Sequence, residues 1–518
     1  MFNLLALMTA IGVYPVPHEV TELGGSFDSG EAVVYNVQDV KLGPEEYRLT
    51  ATNGVVEIAS SDDRGAFYAR QTLDQLRSRS TMPNVIIKDR PDIALRGVVE
   101  GYYGRPWGTE GRLELMDFMG KYKLNTFVYG PKDDPYHHVL WRDPYPEKEA
   151  EDFRKLLAAA NKNKINFYWA IHLGGGFRKG GEEEREDFKF LLGKLEQMYN
   201  LGVRSFGVFF DDFGEADVEF HVKIANFMAK YLHAKKLDAA LLVCPNVYWG
   251  CGETDYVKAM GEKLDKKAMI IWTGRCVCSD ILAADTAKVS ESYRRAPFVW
   301  WNWPVNDYCR SKVLMGRTYG IEPAEFSGFV TNPMENCEAN KVAIFGVADW
   351  CWNQQAFDSQ KNWDDSFGRI YDDKEVAKAM RIFAAHNSDP DKSGQGFRRE
   401  ESEGKWDFGE IAEAMDTLKQ KLPMDEPKLW WELEGWIVDL ECTAKIGLKL
   451  KEYATVEGEM AKRHIIKDIM QLKAIQEESA KKHVEKFMAA TFENDAKLVV
   501  APRSGTKALK PAIEQMMP

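Results

Sequence analysis

Ser205-Phe206-Gly207-Val208-Phe209-Phe210-Asp211-Asp212 reads as a buried strand that ends abruptly in two adjacent carboxylates. The apolar, aromatic run has no polar face, as expected of a strand covered on both sides. Burying a charge is costly unless it is paired or put to use, so Asp211 and Asp212 need a reason to be there. An isolated pair would be read as a strand cap opening a loop. A pair at the rim of a barrel would be an acid/base couple. The flanking sequence decides which.

Seven similar runs accompany this one. They are Gly97-Val98-Val99, Thr126-Phe127-Val128-Tyr129, residues 165–171, residues 239–243, Met269-Ile270-Ile271-Trp272, Phe298-Val299-Trp300-Trp301 and Gly328-Phe329-Val330. Each interval leaves room for one helix, and the intervening segments carry helical spacing. Phe188, Leu191, Leu192, Leu195 and Tyr199 share one helical face, as do Leu115, Met119 and Tyr122. Eight βα units with continuous apolar strands predict a (β/α)8 TIM barrel of the α/β class. A doubly wound open sheet is the structural rival, but no Gly-rich phosphate loop follows the first strand.

At 518 residues the chain is too long for one ordinary core. Residues 1–92 read as a small α+β domain, with the hairpin signal Asn53-Gly54 between two short strands, a helix over residues 65–76 and a strand at Val85-Ile86-Ile87. Residues 93–356 read as the catalytic barrel. Residues 357–518 read as a helical bundle, with helical period over residues 374–386, 408–421, 427–452 and 459–490. A net charge of −12, spread along the chain, argues against nucleic-acid binding, which needs a basic footprint.

The 15 Trp and 12% aromatic content suit either well-filled cores or pockets for sugars. Seven of the eight cysteines lie between Cys244 and Cys351, several inside apolar runs, and read as reduced structural thiols. No stretch approaches the ~20 apolar residues of a membrane span. Residues 1–12 are apolar and resemble the tail of a secretory signal, though they are short and lack a basic start. A secreted or periplasmic location is therefore expected ahead of a cytoplasmic one.

In a barrel, the residues just after each strand converge on one face. In chain order they are Glu100-Gly101-Tyr102-Tyr103-Gly104, Gly130-Pro131-Lys132-Asp133-Asp134, His172, Asp211-Asp212, Cys244-Pro245-Asn246-Val247-Tyr248, Trp272-Thr273-Gly274, Trp300-Trp301-Asn302-Trp303-Pro304 with Asp307-Tyr308, and Thr331-Asn332-Pro333. Aromatics, amides, hydroxyls, one lysine and acids together make a polyol pocket. Metal-assisted hydrolysis needs several strand-end His or carboxylates, and His172 is the only strand-end histidine, so neither metal nor other cofactor is expected. A Ser or Cys nucleophile lacks its elbow motif.

These blocks resemble glycoside hydrolase family 84, the β-N-acetylglucosaminidases that include O-GlcNAcases and enzymes once called hyaluronidases, in its bacterial form. Residues 96–104, residues 129–137, the Phe-Phe-Asp-Asp run, Trp300-Trp301-Asn302 through Asp307-Tyr308, and residues 331–335 carry the likeness. Gly65-Ala66-Phe67-Tyr68-Ala69-Arg70-Gln71-Thr72-Leu73 extends it to the first domain. The resemblance implies retaining, substrate-assisted hydrolysis of terminal β-linked GlcNAc through an oxazoline.

On that resemblance Asp211 orients the substrate's acetamido group and Asp212 is the acid/base. Gly101 (through its carbonyl), Lys132, Asp307 and Asn332 meet sugar hydroxyls and the leaving group. Tyr248 lies near the acetamido oxygen, Thr273 and Trp300 are walls, and Asn302 is an amide near the reaction centre. Read structurally instead, Trp300 would be barrel core, Lys132 a surface ion pair and Tyr248 a packed aromatic. Two departures bear on loop conformation and rim specificity: Leu173-Gly174-Gly175-Gly176 after His172 in place of an early proline, and Asn246-Val247 before Tyr248.

The implied substrates are the terminal GlcNAc of glycoproteins, mucins or other glycans, with the helical region serving a dimer or only buttressing the barrel. Alternatives from other classes are a different N-acetylhexosaminidase or chitinase, and a non-catalytic carbohydrate-binding barrel. The first would pair Asp with Glu or use a spaced acidic strand motif, and the second would have lost an acid. Neither feature is present.

Overall fold

Eight parallel strands close into a barrel in the computed structural model, which describes residues 11–30, 32–78, 80–132, 134–173, 176–212, 214–388, 390, 406–490, 499–505 and 509–517. Residues 1–10 of the leader-like segment, Asp133, and Gly174-Gly175 of the loop after His172 lie outside the described residues.

A five-stranded sheet precedes the barrel. It is built from β1 (Glu19–Asp28), β2 (Val33–Gln38), β3 (Tyr47–Thr52), β4 (Val55–Ser60) and β5 (Thr81–Asp89), in the order β1-β5-β3-β4-β2. Asn53 and Gly54 join β3 to β4 with φ of 49° and 82°, the left-handed pair that a two-residue hairpin needs. Helix α1 (Asp63–Arg77) starts where the Asp62 carboxylate accepts the Gly65 N–H at 2.7 Å. It buries Tyr68, Ala69, Leu73 and Leu76 in one core with Tyr47, Leu49, Ile58 and Ile87 of the sheet.

The barrel strands are β6 (Arg96–Glu100), β7 (Thr126–Tyr129), β8 (Asn166–His172), β9 (Ser205–Phe209), β10 (Leu242–Cys244), β11 (Met269–Trp272), β12 (Phe298–Trp301) and β13 (Gly328–Thr331), with β13 pairing back onto β6. Side chains alternate along each strand. Val99, Val128, Ala170, Phe209, Leu242, Ile271, Phe298 and Val330 fill the interior. Val98, Phe127, Trp169, Val208, Val243, Ile270, Val299 and Phe329 join the core beneath the helices. Interior volume is shared unevenly: a Cβ on Gly328 would lie 2.3 Å from the Phe298 ring, so the large residue on β12 requires glycine beside it.

Two sequence expectations are corrected here. The fifth strand is Leu242–Cys244 rather than 239–243: residues 239–241 stay outside it, although the Leu241 carbonyl accepts the Met269 N–H at 2.8 Å. The other correction concerns the helices. Strands β6 to β11 are followed in turn by α2 (Gly108–Lys121), α3 (Glu147–Lys162), α4 (Gly181–Leu201), α5 (Val218–Ala234), α6 (Asp255–Lys263) and α7 (Ala283–Tyr293), but β12 has no helix after it. Residues 302–327 instead cross as irregular chain, broken by Pro304, Gly316, Gly320 and Pro323.

Helix α8 (Lys341–Trp352) follows β13 and is buried from Val342 to Trp352 all the way round, as a helix enclosed on every side must be. Beyond it come α9 (Ser359–Ile370), α10 (Lys374–Ala385), α11 (Phe408–Asp425), α12 (Pro427–Thr455), α13 (Glu459–Ala490) and α14 (Leu509–Met516). Helix α12 packs between α11 and α13. No helix among the described residues is long and apolar enough to cross a membrane.

A buried charge joins the first sheet to the barrel. Lys123 Nζ lies 3.1 Å from Asp89 Oδ2, with both side chains fully enclosed. Asp89 also accepts from the Tyr47 hydroxyl at 2.6 Å and from Trp352 Nε1 at 2.7 Å. Removing one member of such a pair strands the other, so Asp89→Ala is expected to cost about 3–5 kcal/mol, read as a lowered unfolding midpoint. His18 adds a pH dependence. Burial alone would lower its pKa, but hydrogen bonds to Asp89 and Asp92 outweigh burial and raise it from 6.5 to about 9. Its contribution to stability is full below pH 6.5 and is lost as pH rises through about 9. Across that window wild type should lose more stability than His18→Gln in denaturant titrations.

Candidate active site

The strand ends of the barrel surround one cavity. Its wall includes all ten residues singled out from sequence: Gly101, Lys132, Asp211, Asp212, Tyr248, Thr273, Trp300, Asn302, Asp307 and Asn332. Tyr103, Cys244, Val277, Cys278 and Val305 complete it.

Strand β9 presents the two carboxylates differently. Phe210 continues the ladder by donating its N–H to the Cys244 carbonyl at 2.9 Å. Asp211 is buried, and Asp212 turns out to solvent. The turn is abrupt because Asp212 has φ of 54°, a left-handed conformation that Asp tolerates better than most residues. A single peptide bond therefore separates an enclosed acid from an open one.

Asp211 is held as a carboxylate. Burial pushes its pKa up, but the Lys132 ammonium outweighs burial and brings it below the usual carboxylate range. Lys132 Nζ bonds Asp211 Oδ2 directly. Burial in turn lowers the Lys132 pKa, and Asp211 more than restores it. The other oxygen, Asp211 Oδ1, is buried and has no hydrogen-bond partner among the described residues. Asp211 shares the cavity wall with Trp300 and Cys244.

Asp212 Oδ2 accepts from the Tyr103 hydroxyl at 2.6 Å. Burial, followed by that bond to Asp212, raises the Tyr103 pKa far above its ordinary value, so the phenol stays a donor. Tyr103 N–H reaches Asp307 Oδ2 at 3.0 Å, and Arg310 Nη2 donates to the Tyr103 carbonyl at 2.7 Å. The loop after β6 is thereby tied to the irregular chain after β12. Burial raises the pKa of Asp307.

An amide cluster forms the opposite wall. Asn302 Oδ1 accepts from Trp300 Nε1 at 2.8 Å and from Asn332 Nδ2 at 2.9 Å, while its Nδ2 donates to the Val277 carbonyl at 2.7 Å. Asn302 is therefore spent on holding Trp300 and Asn332. Asn332 keeps a buried Oδ1 with no partner among the described residues. Thr273 Oγ1 donates to the backbone carbonyl of Cys276 at 3.2 Å, so its hydroxyl braces a loop. Gly101 is a close approach: a Cβ there would lie 2.2 Å from Trp300 Cζ2.

Sequence reasoning gave no site role to Tyr103, Val277, Cys278 or Val305. Tyr103 lies in the loop beyond β6 and is 40% exposed, whereas Tyr102 is 4% exposed, a difference that strand alternation does not encode because the strand ends at Glu100. The other three come from loops whose path no periodicity encodes. Lys132, read as a possible surface ion pair, is in an enclosed one.

A closed parallel barrel with paired acids ending its fourth strand is the arrangement of a barrel glycosidase. Known proteins resemble this chain in the same sense. Residues 96–385, more than half of it, match the model of the beta-N-acetylglucosaminidase family, and residues 28–90 match domain 2 of glycosyl hydrolase family 20. The Protein O-GlcNAcases of Rattus norvegicus and Mus musculus are each 36% identical over 278 residues, 49% of this chain. The chain spans only 30% of the length of those relatives. The solved structure of CpGH84B superposes with a TM-score of 0.79 at 26% identity, covering 98% of this chain and all of that one. A mutant of the Thermobaculum terrenum O-GlcNAc hydrolase shares the fold, with a TM-score of 0.65 at 22% identity over 82% of this chain and 94% of that one. The chain belongs to the β-N-acetylglucosaminidase family, glycoside hydrolase family 84.

Gly101→Ala would drive a methyl group into the Trp300 ring. Overpacking of this kind costs about 1–3 kcal/mol. The variant should lose glycosidase activity out of proportion to its loss of thermal stability, which paired melting and kcat/KM measurements would show.

Proposed function

We propose that this protein is a retaining exo-β-N-acetylglucosaminidase that removes terminal β-linked GlcNAc from glycoproteins or other glycans by substrate-assisted catalysis. One observation carries the reading. The two adjacent carboxylates differ in environment, one a buried anion paired with Lys132 and the other an exposed group bonded to Tyr103.

The proposed chemistry follows from that asymmetry. Asp211 accepts the acetamido N–H at its vacant Oδ1, which increases the electron density on the acetamido oxygen. That oxygen attacks the anomeric carbon as the glycosidic C–O bond breaks. Asp212, at the open side where the leaving group departs, gives its proton to the departing oxygen. The product of this step is an oxazoline fused to the sugar, its N–H proton taken up by Asp211, which returns it when the ring opens. Water then attacks the anomeric carbon from the vacated face, passes its proton to Asp212 and reopens the acetamide, so configuration is retained. Neither carboxylate attacks carbon. Charge that grows on the acetamido group is met by an anion already in place, which needs no reorganisation at the moment of reaction.

The remaining roles are proposed from the family resemblance, for residues that line the same cavity. Lys132, Asp307, Asn332 and the Gly101 carbonyl meet sugar hydroxyls and the leaving group, with the vacant Asn332 Oδ1 suited to a hydroxyl donor. Tyr248 lies beside the acetamido oxygen. Trp300 and Thr273 shape the wall, and Asn302 acts by fixing its neighbours. Protein-linked GlcNAc, mucin glycans and glycosaminoglycan ends all present the same terminal sugar, and release of free GlcNAc from each by purified protein would rank them.

Asp212→Ala should lose alkyl and peptide-linked GlcNAc turnover by about 100-fold or more, yet retain aryl glycosides with good leaving groups, which need little protonation. Asp211→Ala should lose both. An equal loss on every substrate from Asp212→Ala would contradict the acid assignment.

A further inference from the structure

The peptide unit between the two carboxylates has its own support. His172 closes strand β8, is 4% exposed, and places Nε2 2.6 Å from the Asp211 backbone carbonyl. A carbonyl only accepts, so Nε2 carries the proton and donates. The same nitrogen lies 3.7 Å from Asp211 Oδ1. Burial lowers the pKa of the ring, which keeps it in this neutral donor form.

This carbonyl is not an ordinary strand oxygen. It belongs to the peptide that leads into Asp212, whose φ of 54° is left-handed. A non-glycine residue persists in that region only where its surroundings over-determine it. Rotation of this peptide would swing the Asp212 carboxylate relative to that of Asp211, since φ turns about the bond that follows it. The hydrogen bond from His172 opposes that rotation.

His172 is itself braced. Its backbone N–H donates to the His137 carbonyl at 3.0 Å, and His137 Nδ1 donates to the Ala170 carbonyl at 2.6 Å. The His138 ring meets it edge-on, with centroids 4.5 Å apart. The loop that supplies Lys132 and the strand that supplies His172 thus grip the same aspartate from two sides.

Building on the reading of Asp211 and Asp212 given above, we infer that His172 is a positioning residue for the reaction, fixing the relative orientation of the two carboxylates through the peptide that joins them. It touches neither sugar nor leaving group. Its loss therefore acts on the acid more than on the acetamido-orienting group, whose position Lys132 also holds.

The test compares His172→Gln with His172→Met, which have similar length and differ in that only the amide can donate to the carbonyl. Both are assayed on aryl GlcNAc glycosides spanning a range of leaving-group pKa, alongside thermal melting. His172→Met is expected to lose about 10–100-fold in kcat on the poorest leaving groups, the loss of one enforced hydrogen bond, and progressively less on better ones. His172→Gln is expected to recover most of that loss at unchanged KM. Should His172→Met fail to fold, His172→Asn, whose amide is one carbon too short to reach the carbonyl, takes its place. Wild-type turnover of the series tests the reading of the site, and the difference between donor and non-donor variants tests His172. Equal losses in both variants, no loss in either, or a loss independent of leaving group would overturn the inference.

Discussion

A carboxylate can stay ionised inside a wall of aromatic and sulfur-bearing side chains only if a cation is brought to it, and Lys132 is brought to Asp211. Both lie at strand ends, Lys132 two strands before Asp211 in the barrel order, and closure of the barrel turns that separation into a contact. The pair fixes which oxygen of Asp211 is engaged and which remains vacant. The asymmetry of the site, its exposed second acid and the proposed division of labour between the acids all rest on that contact.

Sequence reading was strongest where burial was complete. Barrel strands covered on both faces appear as uninterrupted apolar runs, so Phe298-Val299-Trp300-Trp301 and Met269-Ile270-Ile271-Trp272 could be bounded to the residue. Where small residues fill the run, as at Ala239 and Ala240, the boundary slipped because alanine carries no strand signal. Strand ends were legible as a set because a parallel barrel puts every C-terminal end on one face. The missing helix after β12 was not legible, since spacing alone cannot distinguish a helix from an irregular crossing of similar length.

What the side chains do at those ends was only partly legible. The resemblance implies that Thr273 is a pocket wall and Asn302 an amide near the reaction centre, and their bonds run to the Cys276 carbonyl and to Trp300 and Asn332. Tyr103 reached the exposed acid from another loop, through a pairing that no local pattern records. The helical region makes similar long-range contacts. Arg105, two residues after Tyr103, lies 4.5 Å over the Trp431 ring on α12, and Glu432 beside it accepts the Glu338 N–H at 3.0 Å. Burial raises the pKa of Glu432 to about 8, and the Glu338 and Ala339 amides oppose that rise. The helices thus touch the loops that follow both β6 and β13, one on each side of the barrel's closing seam.

In the proposed reaction the nucleophile is the substrate's own acetamido oxygen, with Asp211 as its partner. Replacing the acetyl hydrogens one by one with fluorine withdraws electrons from that oxygen while leaving the leaving group and the sugar hydroxyls unchanged. Turnover of aryl glycosides of N-acetyl, N-fluoroacetyl, N-difluoroacetyl and N-trifluoroacetyl glucosamine should fall steeply and progressively along the series. A rate indifferent to fluorination would mean that the acetamido group does not attack, and would contradict the account.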